Sequence, residues 1–470
     1  MDKQFDELVA FVLDFVKNRI LNQTNKPLEL RKSYTPESLQ DKVNFKTTFE
    51  GVSSADLVKI IEEVIDHSLI TDHPYFMNQM FGKTQPVSFL ADILIAMLNT
   101  SMYTFEVAPI LSLIEKETIS NLGARVWGKG KGDGVFTAGG SISNMNALFL
   151  ARQHYFQQVK EKGLFGEKPF AIFVSEQAHY SFTKGVNFLG FGIDSLIKVK
   201  SNADSTINID SLNLEIIKAK ENNRTPLMLI GIAGTTISGT FDPLDSLATI
   251  AKEHTMWYHV DAAYGGSLLF CEREKAVLKG IEKADSVSWN FHKVMGMSLS
   301  TSSFLTKEKG KLNEAFNVDA GYLFHREDYD YNLGQKSLRG GRRPDAFKLW
   351  LQWKYKGDLG FATHIQKLRK AALHLADIIK KQPKVNHYQE PQSAIVLFRY
   401  EGKNTSLEKG NELNIAIRET IFKEGKLIFN YAHIHRKVYL RCVIIDPEIT
   451  EKQLTHIIDT VVEIGDKLDQ

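Results

Sequence analysis

The sequence contains little cysteine and no long stretch of uncharged apolar residues. Its 470 residues include two cysteines, Cys271 and Cys442, at distant positions. Such sparse usage is typical of a reduced protein rather than of a disulfide-stabilised secreted one, and it predicts a cytoplasmic location. The longest apolar candidate, residues 86–105, carries Asp92 and several polar side chains. We therefore predict a buried helix there rather than a membrane span, which needs about 20 apolar residues.

The sequence also lacks a strong excess of charge of either sign. Its 58 basic and 56 acidic residues give a formal net charge of +2. Nucleic-acid and anionic membrane binding usually require a basic excess, so the composition predicts neither kind of partner. Apolar side chains recur at helical spacing between residues 5 and 20, but acidic residues interrupt them. This pattern differs from a signal peptide and predicts an amphipathic helix that packs on a partner surface.

Between residues 120 and 300, short apolar runs rich in β-branched and aromatic residues alternate with amphipathic stretches. The runs lie at residues 170–174, 227–232, 257–260 and 286–289, and the stretches between them include 143–159 and 244–253. This alternation predicts an α/β fold with a mostly parallel sheet that is covered by helices on both faces. Ligands of such sheets bind beyond the carboxyl ends of the strands.

Residues 315–345 interrupt the alternation with a stretch rich in Gly, Tyr, Asp and Arg. Long segments of this kind in compact domains are usually functional or disordered loops. Helices and strands are predicted again beyond it, at residues 347–356, 363–380, 394–400, 411–424, 437–445 and 451–468. We therefore predict an N-terminal helix and arm (1–60), a large domain (61–345) and a small C-terminal α/β domain (346–470).

Three polar stretches lie where such a sheet would place a ligand. Lys293 closes a polar segment after one predicted strand, and Asp261 directly follows another. Gly140 and Ser141 stand where a loop enters a predicted helix, so backbone N–H groups there can receive an anion. Each feature alone has an ordinary explanation: a surface lysine, an aspartate that caps a helix or pairs with arginine, and a glycine turn. Together they supply an amine, a carboxylate for a ring nitrogen and a phosphate cradle, which pyridoxal 5′-phosphate (PLP) requires.

The histidines are informative at one position and uninformative at two others. His179 follows a further predicted strand, where its flat imidazole could lie against an aromatic cofactor, although a lone histidine is more often structural. His433 and His435 stand two residues apart without Cys, Asp or Glu at ligand spacing. We therefore predict no metal site.

In combination and order, these motifs resemble those of the PLP-dependent group II amino acid decarboxylases, which are fold-type I enzymes. The resemblance extends from about residue 47 to the C-terminus and rests on His73-Pro74, 137–144, His179, 234–236, Asp242, 259–266, 290–293 and Gly341-Arg342. It implies an aspartate aminotransferase-like fold, PLP as cofactor, and conversion of an L-amino acid to an amine and carbon dioxide. It also implies a homodimer whose active sites lie at the subunit interface and whose N-terminal arm wraps the partner.

The resemblance assigns roles to individual residues. It implies that Lys293 forms the Schiff base with the cofactor, that His179 stacks on the cofactor ring, and that Asp261 pairs with the ring nitrogen. Tyr331 matches the tyrosine of a mobile loop that protonates Cα after carbon dioxide has left. The further contacts to the ring or phosphate that the resemblance implies are Gly140, Ser141, Thr235, Ala263 and His292.

Four positions bear on the substrate. Arg441 matches an arginine that binds the distal acidic group in glutamate-type members, and a guanidinium suits a carboxylate or sulfinate. Gln79 matches a companion hydrogen-bond donor. Ser101 and Tyr103 resemble the cysteine sulfinate and aspartate type, in which a tyrosine hydroxyl would shorten the pocket. The resemblance thus favours a small acidic L-amino acid: cysteine sulfinate, aspartate or glutamate. The alternative for Arg441 is a structural role, in which it stabilises the small domain through a salt bridge.

Two departures from the family pattern keep alternatives open. Phe291 stands where the family usually has proline before the His-Lys pair, and residues 332–336 read Asn-Leu-Gly-Gln-Lys instead of Asp-Thr-Gly-Asp-Lys. The second change affects the segment after Tyr331 and hence the closing of its loop. The alternatives are an aromatic L-amino acid decarboxylase, another fold-type I PLP enzyme such as an aminotransferase or lyase, and a PLP-binding protein without activity.

Overall fold

The computed structural model describes residues 3–22, 30, 34–47, 49–69, 71–156, 158–318, 322–324, 330–403 and 406–470. The helices are α1 Lys3–Asn22, α2 Pro36–Gln40, α3 Ser54–His67, α4 Pro86–Leu98, α5 Pro109–Trp127, α6 Gly140–Tyr155, α7 Val159–Lys162, α8 Ser181–Phe188, α9 Ile209–Glu221, α10 Leu244–Glu253, α11 Lys311–Phe316, α12 Ala346–Lys381, α13 Leu407–Lys423 and α14 Glu451–Leu468. The strands are β1 Phe76–Met77, β2 Asp133–Thr137, β3 Phe170–Ser175, β4 Leu196–Val199, β5 Thr225–Ile232, β6 Trp257–Asp261, β7 Ser286–Asn290, β8 Ser302–Thr306, β9 Val385–His387, β10 Ile395–Tyr400, β11 Ile428–Ile434 and β12 Lys437–Val443.

The larger of the two sheets has seven strands in the order β2-β8-β7-β6-β5-β3-β4. Strand β8 is antiparallel to both of its neighbours, and the other pairs of adjacent strands are parallel. The central strands are buried along their whole length, which explains their continuous apolar sequence. The predicted mostly parallel sheet is confirmed.

Helices cover both faces of this sheet, and alternate residues of a strand point to opposite layers. On β3, Ala171 and Phe173 join one core with helices α5, α9 and α10. Ile172 and Val174 join the other core with α6, α8 and α11. The two-residue period of a strand therefore divides one apolar run between two helical layers.

The smaller sheet has five strands in the order β1-β11-β12-β10-β9. Helices α13, α14 and the second half of α12 pack on it. Strand β1 comes from early in the chain, and it pairs in parallel with β11 through Phe76 and Met77. The predicted domain limits therefore stay a prediction, since residues 76–77 extend the C-terminal sheet from within the range predicted for the large domain.

Helix α12 is broken at Gly357, whose backbone (φ 61°, ψ −178°) is not helical. The sequence predicts two helices at 347–356 and 363–380, and the structure has the two helices separated by this one residue. Glycine adopts a positive φ without the steric cost that a Cβ atom would impose. Residues on both sides of the break pack in the core of the larger sheet, as far as Ile365, and the helix contributes to the core of the smaller sheet from Leu368 onwards.

The sequence predicts a buried helix at residues 86–105. The structure has a shorter helix there, and within the single chain one side of it is exposed. Helix α4 stops at Leu98 because Asn99 adopts the left-handed conformation (φ 44°). Leu94 and Met97 on this helix are exposed, and Met97 retains 76% of its accessible surface. No described side chain of α1 or α3 is buried either. Within the described part of the chain, no helix is long and apolar enough to cross a membrane.

Because the two faces of β3 pack in different cores, a substitution of Phe173 tests the assigned packing. Phe173 is fully buried, whereas Phe165 retains 96% of its accessible surface. Phe173→Ala should lower the free energy of unfolding by about 3–5 kcal/mol, because it removes buried apolar surface and leaves a cavity. The matched variant Phe165→Ala should stay within about 0.5 kcal/mol of the original protein. Urea denaturation measures both values, and similar losses in the two variants would contradict the assigned core.

Candidate active site

The carboxyl ends of β3, β5, β6 and β7 and the first turn of α6 surround one cavity of about 210 Å³. This is the edge at which parallel sheets bind ligands. The structure brings together there seven of the residues that the sequence singles out, and their individual roles remain predictions. These residues are Gly140, Ser141, His179, Asp261, Ala263, His292 and Lys293.

Asp261 is the buried acid of this cavity, with 7% of its surface accessible. Its Oδ2 accepts a hydrogen bond from Asn144 Nδ2 (2.8 Å), and its Oδ1 accepts one from the Ala263 N–H (3.1 Å). Asn144 is oriented in turn by His259, whose Nε2 lies 3.3 Å from Asn144 Oδ1 and whose Nδ1 lies 2.9 Å from Ser286 Oγ. The carboxylate is thus held in place by a chain of buried polar groups.

Complete burial lowers the pKa of His259 to about 4, against an opposing effect of the nearby Asp261 charge. His259 is therefore neutral at physiological pH and carries a single N–H. With Asn144 Nδ2 donating to Asp261, Asn144 Oδ1 is left as an acceptor. The proton of His259 therefore belongs on Nε2, where it can be donated to that oxygen.

Lys293 lies in the turn directly after β7 and is partly buried. Burial lowers the pKa of its amino group, the Asp261 carboxylate opposes this shift, and the Arg441 charge adds to it. A lowered pKa increases the fraction of neutral amine, which is the form that attacks a carbonyl carbon. Lys293 is therefore suited to act as a nucleophile.

The start of α6 and His292 also line the cavity. A Cβ atom on Gly140 would lie 2.8 Å from Asn290 Nδ2, so only glycine permits this close approach of the helix to β7. The imidazole of His292 is held at Nδ1 by the backbone of Thr301, at 2.9 Å from its O and 3.1 Å from its N. Burial lowers the pKa of His292 to about 4, so the ring is neutral.

His179 follows β3 and faces the same cavity. Its Nδ1 accepts a hydrogen bond from the Ser181 N–H (3.2 Å), so in the neutral ring the proton is on Nε2. Burial lowers the pKa of His179; the charge of Asp261 opposes this shift, whereas that of Lys293 adds to it. The ring is therefore a neutral donor.

Two further predicted residues lie behind the cavity wall. Thr235 is buried, and its Oγ1 is 2.8 Å from Ser238 Oγ within its own turn, so Thr236 is the threonine that reaches the cavity. Arg441, on β12, donates from Nη2 to the Thr236 O (2.6 Å) and from Nη1 to the Asn78 O (3.0 Å). The guanidinium therefore connects the small sheet to the cavity wall.

The remaining predicted residues do not line this cavity in the same chain. Gln79 is exposed beyond β1. Ser101 and Tyr103 lie in a segment that contacts Arg342 and Gly334. The Lys116 amino group lies over the ring of Tyr331, 3.9 Å from its centre. The structure therefore separates these four residues from the Lys293 cavity of their own chain.

Several cavity residues were not assigned a role by the sequence reasoning. Asn144 and Asn290 are examples, and both were part of motifs recognised there. Asn144 stands four residues after Gly140, so helical periodicity alone places the two on the same face. Asn290 is the last residue of β7, the position at which a parallel strand presents side chains to a ligand.

The cavity residues fit PLP. Asn290 Oδ1 is buried there without a hydrogen-bond partner among the described residues. Asp261 is bound by neutral donors only within the described part of the chain, and a protonated ring nitrogen would suit it. The N-terminus of α6, with Gly140 and Ser141, suits a phosphate. No group of three or more potential metal ligands occurs among the described residues.

Comparison with known proteins agrees with this chemistry. The model of the pyridoxal-dependent decarboxylase conserved domain matches residues 36–401. The chain is 33% identical to human acidic amino acid decarboxylase GADL1, over 99% of this chain and 91% of that protein. It is 34% identical to mouse cysteine sulfinic acid decarboxylase, over 96% of this chain and 94% of the relative. A crystal structure of mouse CSAD superimposes with a TM-score of 0.93 at 32% identity and covers 98% of both chains.

The chain therefore belongs to the pyridoxal-dependent decarboxylase family. It is a PLP-dependent amino acid decarboxylase. The expected fold-type I architecture and the expected cofactor are confirmed. Rice TDC, at 20% identity and a TM-score of 0.90, shares the same fold.

The buried His259 predicts a specific pH dependence of stability. Its folded-state pKa of about 4 is below the ordinary value of 6.5, so its contribution is present above pH 6.5 and is lost as the pH falls towards 4. His259→Gln should therefore lose roughly 3 kcal/mol less stability than the original protein across this interval. Denaturation at a series of pH values measures the difference. The exposed His433→Gln is the control, and equal slopes for all three proteins would contradict the role of His259.

Proposed function

We propose that the enzyme removes the α-carboxyl group of a small acidic L-amino acid (cysteine sulfinate, aspartate or glutamate) to give an amine and carbon dioxide. The observation that carries this proposal is the Arg441 guanidinium, which is 7% accessible and has no carboxylate partner among the described residues. A buried cation without a counter-ion favours an anionic ligand. The acidic and cysteine sulfinic acid decarboxylases among its relatives support the same substrate class.

The residues around the cavity have separate tasks in this proposal. When PLP is bound, it withdraws electrons from Cα of the substrate. Lys293 supplies the amine that holds the cofactor, and Asp261 keeps the proton on the ring nitrogen. His179, with its proton on Nε2, orients the substrate, and Gly140, Ser141 and His292 hold the phosphate. A further cofactor contact is proposed for Ala263, and Thr236 takes the place that the resemblance gives to Thr235, because Thr236 is the threonine that lines the cavity.

Tyr331, Ser101 and Tyr103 complete the proposed site from a second copy of the chain. None of these residues lines the Lys293 cavity of its own chain. Gln79 follows Asn78, whose carbonyl oxygen accepts from Arg441 Nη1, and is proposed as the companion donor of Arg441 on the same chain. Apolar side chains on α1, α3 and α4 are exposed, as at Leu13, Val64 and Met97. A second copy would bury such surfaces, which are otherwise unusual in a monomer. The proposed state is therefore a homodimer with its active sites at the interface.

A cytoplasmic location completes the proposal. Cys271 and Cys442 are both buried and unpaired. Free buried thiols are typical of proteins in a reducing compartment.

One observation favours a second candidate, an aromatic L-amino acid decarboxylase. The guanidinium of Arg441 already donates to the main-chain oxygens of Asn78, Thr236 and Ile237. Arg441 could then be a structural link between the sheets, with no role in substrate binding. The two candidates differ in what happens when the charge of Arg441 is removed.

Arg441→Met tests the substrate class. Carbon dioxide release is measured on a panel of aspartate, glutamate, cysteine sulfinate and aromatic amino acids. Arg441→Met should lower kcat/KM for the acidic substrates by tens- to thousands-fold, about 2–5 kcal/mol, because an anion is then buried without its partner. PLP occupancy should be unchanged.

Arg399→Met is the matched control, since Arg399 is also buried in the small sheet but donates to Asn411 and Val438. It should leave the ratio of acidic to aromatic activity unchanged. Loss of PLP or unfolding of Arg441→Met alone would make Arg441 structural. Absence of release from every acidic substrate by the original enzyme would refute the proposed function.

Complementation tests the shared active site. Lys293→Ala and Tyr331→Phe should each be defective alone. Their heterodimer should contain one site with both Lys293 and the Tyr331 hydroxyl, so random co-assembly should restore about one quarter of the activity. Amine formation by co-expressed, purified protein measures the recovery, because the amine is the product that needs proton delivery by Tyr331. If Tyr331 served its own chain, the mixture would stay as inactive as its components.

A further inference from the structure

Residues 332–334 are attached to residues 101–105 by three different kinds of contact. We call them the anchor segment (332–334) and the pocket segment (101–105). The Gly334 N–H donates to the Tyr103 O (2.9 Å). A Cβ atom on Gly334 would lie 2.6 Å from that same oxygen, so glycine is required. Leu333 is 3% accessible and packs in an apolar cluster with Met102.

Asn332 makes the third contact, in which its side chain bonds to the pocket segment and not to its own helix. It precedes the short 3₁₀ helix Leu333–Lys336, where an asparagine side chain commonly accepts from its own helix, yet it makes no such bond. Instead, Asn332 Oδ1 accepts the Phe105 N–H at 2.9 Å. The Asn332 side chain is 3% accessible, so water cannot readily replace it as the acceptor.

The pocket segment is itself held in place by hydrogen bonds to Arg342. The Met102 N–H donates to the Arg342 O (2.9 Å), and Arg342 Nη1 donates to the Met102 O (3.2 Å). Arg342 is itself 1% accessible and forms an ion pair with the buried Glu115. Both ends of the Asn332–Phe105 hydrogen bond therefore belong to packed structure.

Tyr331 directly precedes the anchor segment in sequence, and its ring packs against the pocket segment. The rings of Tyr331 and Phe105 are 5.3 Å apart. The Lys116 amino group lies over the Tyr331 ring and donates to the Asp330 O at 3.4 Å. A shift of Phe105 or Asn332 would therefore move Tyr331, because the three are joined within one short piece of chain.

We propose that Asn332 is a positioning residue that fixes Tyr331 relative to the pocket segment, and thereby couples substrate fit at Ser101 and Tyr103 to proton delivery by Tyr331. This inference rests on the proposed function. In productive turnover the proton goes to Cα and the amine is released. Were Tyr331 misplaced, Cα would not receive that proton and the cofactor would take it up instead; hydrolysis would then release an aldehyde whose oxygen comes from water, and the substrate nitrogen would remain with the cofactor as pyridoxamine phosphate. The ratio of aldehyde to amine thus reports the position of Tyr331.

Two substitutions of Asn332 separate positioning from general damage. Asn332→Ala removes the acceptor for Phe105, whereas Asn332→Asp keeps an oxygen at the same place. We expect Asn332→Ala to raise the aldehyde-to-amine ratio about fivefold, the effect of losing one hydrogen bond, and Asn332→Asp to stay near the original ratio. The control is Asn121→Ala, which removes an exposed asparagine whose side chain donates to Glu117 on its own helix.

Hydrogen–deuterium exchange of the purified holoenzyme gives a second readout that does not depend on turnover. Asn332→Ala should speed amide exchange in the peptide that contains Phe105, and Asn332→Asp should not. If Asn332→Ala does not fold, Asn332→Ser shortens the side chain while keeping it polar and should behave in the same way. An unchanged product ratio in the Ala or Ser variant, or an equal rise in Asn332→Asp, would overturn the inference.

Tyr331→Phe distinguishes this failure from failure of the proposed function. If Tyr331→Phe raises the aldehyde-to-amine ratio but Asn332→Ala does not, only the positioning role of Asn332 is wrong. If Tyr331→Phe leaves the ratio unchanged, the role of Tyr331 in the proposed function is wrong, and the inference falls with it.

Discussion

A carboxylate buried at the end of a parallel strand requires hydrogen-bond donors from the residues around it. Asp261 lies at the centre of the larger sheet, and an isolated charge there would be very costly. Asn144 and the Ala263 N–H satisfy its oxygens, and His259 orients Asn144. These donors are neutral, so they hold the carboxylate without neutralising it. The charge remains available to a cationic ligand, and it also opposes the lowering of the pKa of Lys293.

This requirement explains why the site is built from residues distant in sequence. Parallel strands need crossover connections, so each neighbour of β6 at the carboxyl edge comes from another part of the chain. Asn144 arrives on α6, His179 after β3 and Lys293 after β7. The smaller sheet also contributes to the site, because the guanidinium of Arg441 on β12 donates to the Thr236 carbonyl behind the cavity wall. The position of the small sheet is therefore linked to the shape of the cavity.

The strand-end residues could be predicted from sequence because a buried strand leaves a clear signal. Asp261 and Lys293 each follow an apolar run, and their polar chemistry stands out against it. The end of α4 was missed because Asn99 terminates the helix through a local left-handed turn, whereas the apolar pattern continues beyond it. The contact of Asn332 with Phe105 could not be predicted, since its only sequence signal is one asparagine. No pattern within the sequence of one chain shows that Tyr331 lies apart from Lys293, because only the packed fold fixes that separation.

The two-residue strand β1 has a consequence for the order in which the chain becomes structured. Phe76 and Met77 pair with Ile428 and Phe429 of β11, which is synthesised far later in the chain. During synthesis the early segment must therefore wait without its partner, and contacts of such large sequence separation form slowly. Conversely, a fragment that began after β1 would leave β11 as an open sheet edge, a surface prone to pair with other chains. Residues 76–77 thus cover the edge of β11 in the smaller sheet, a structural role that is separate from any contribution to catalysis.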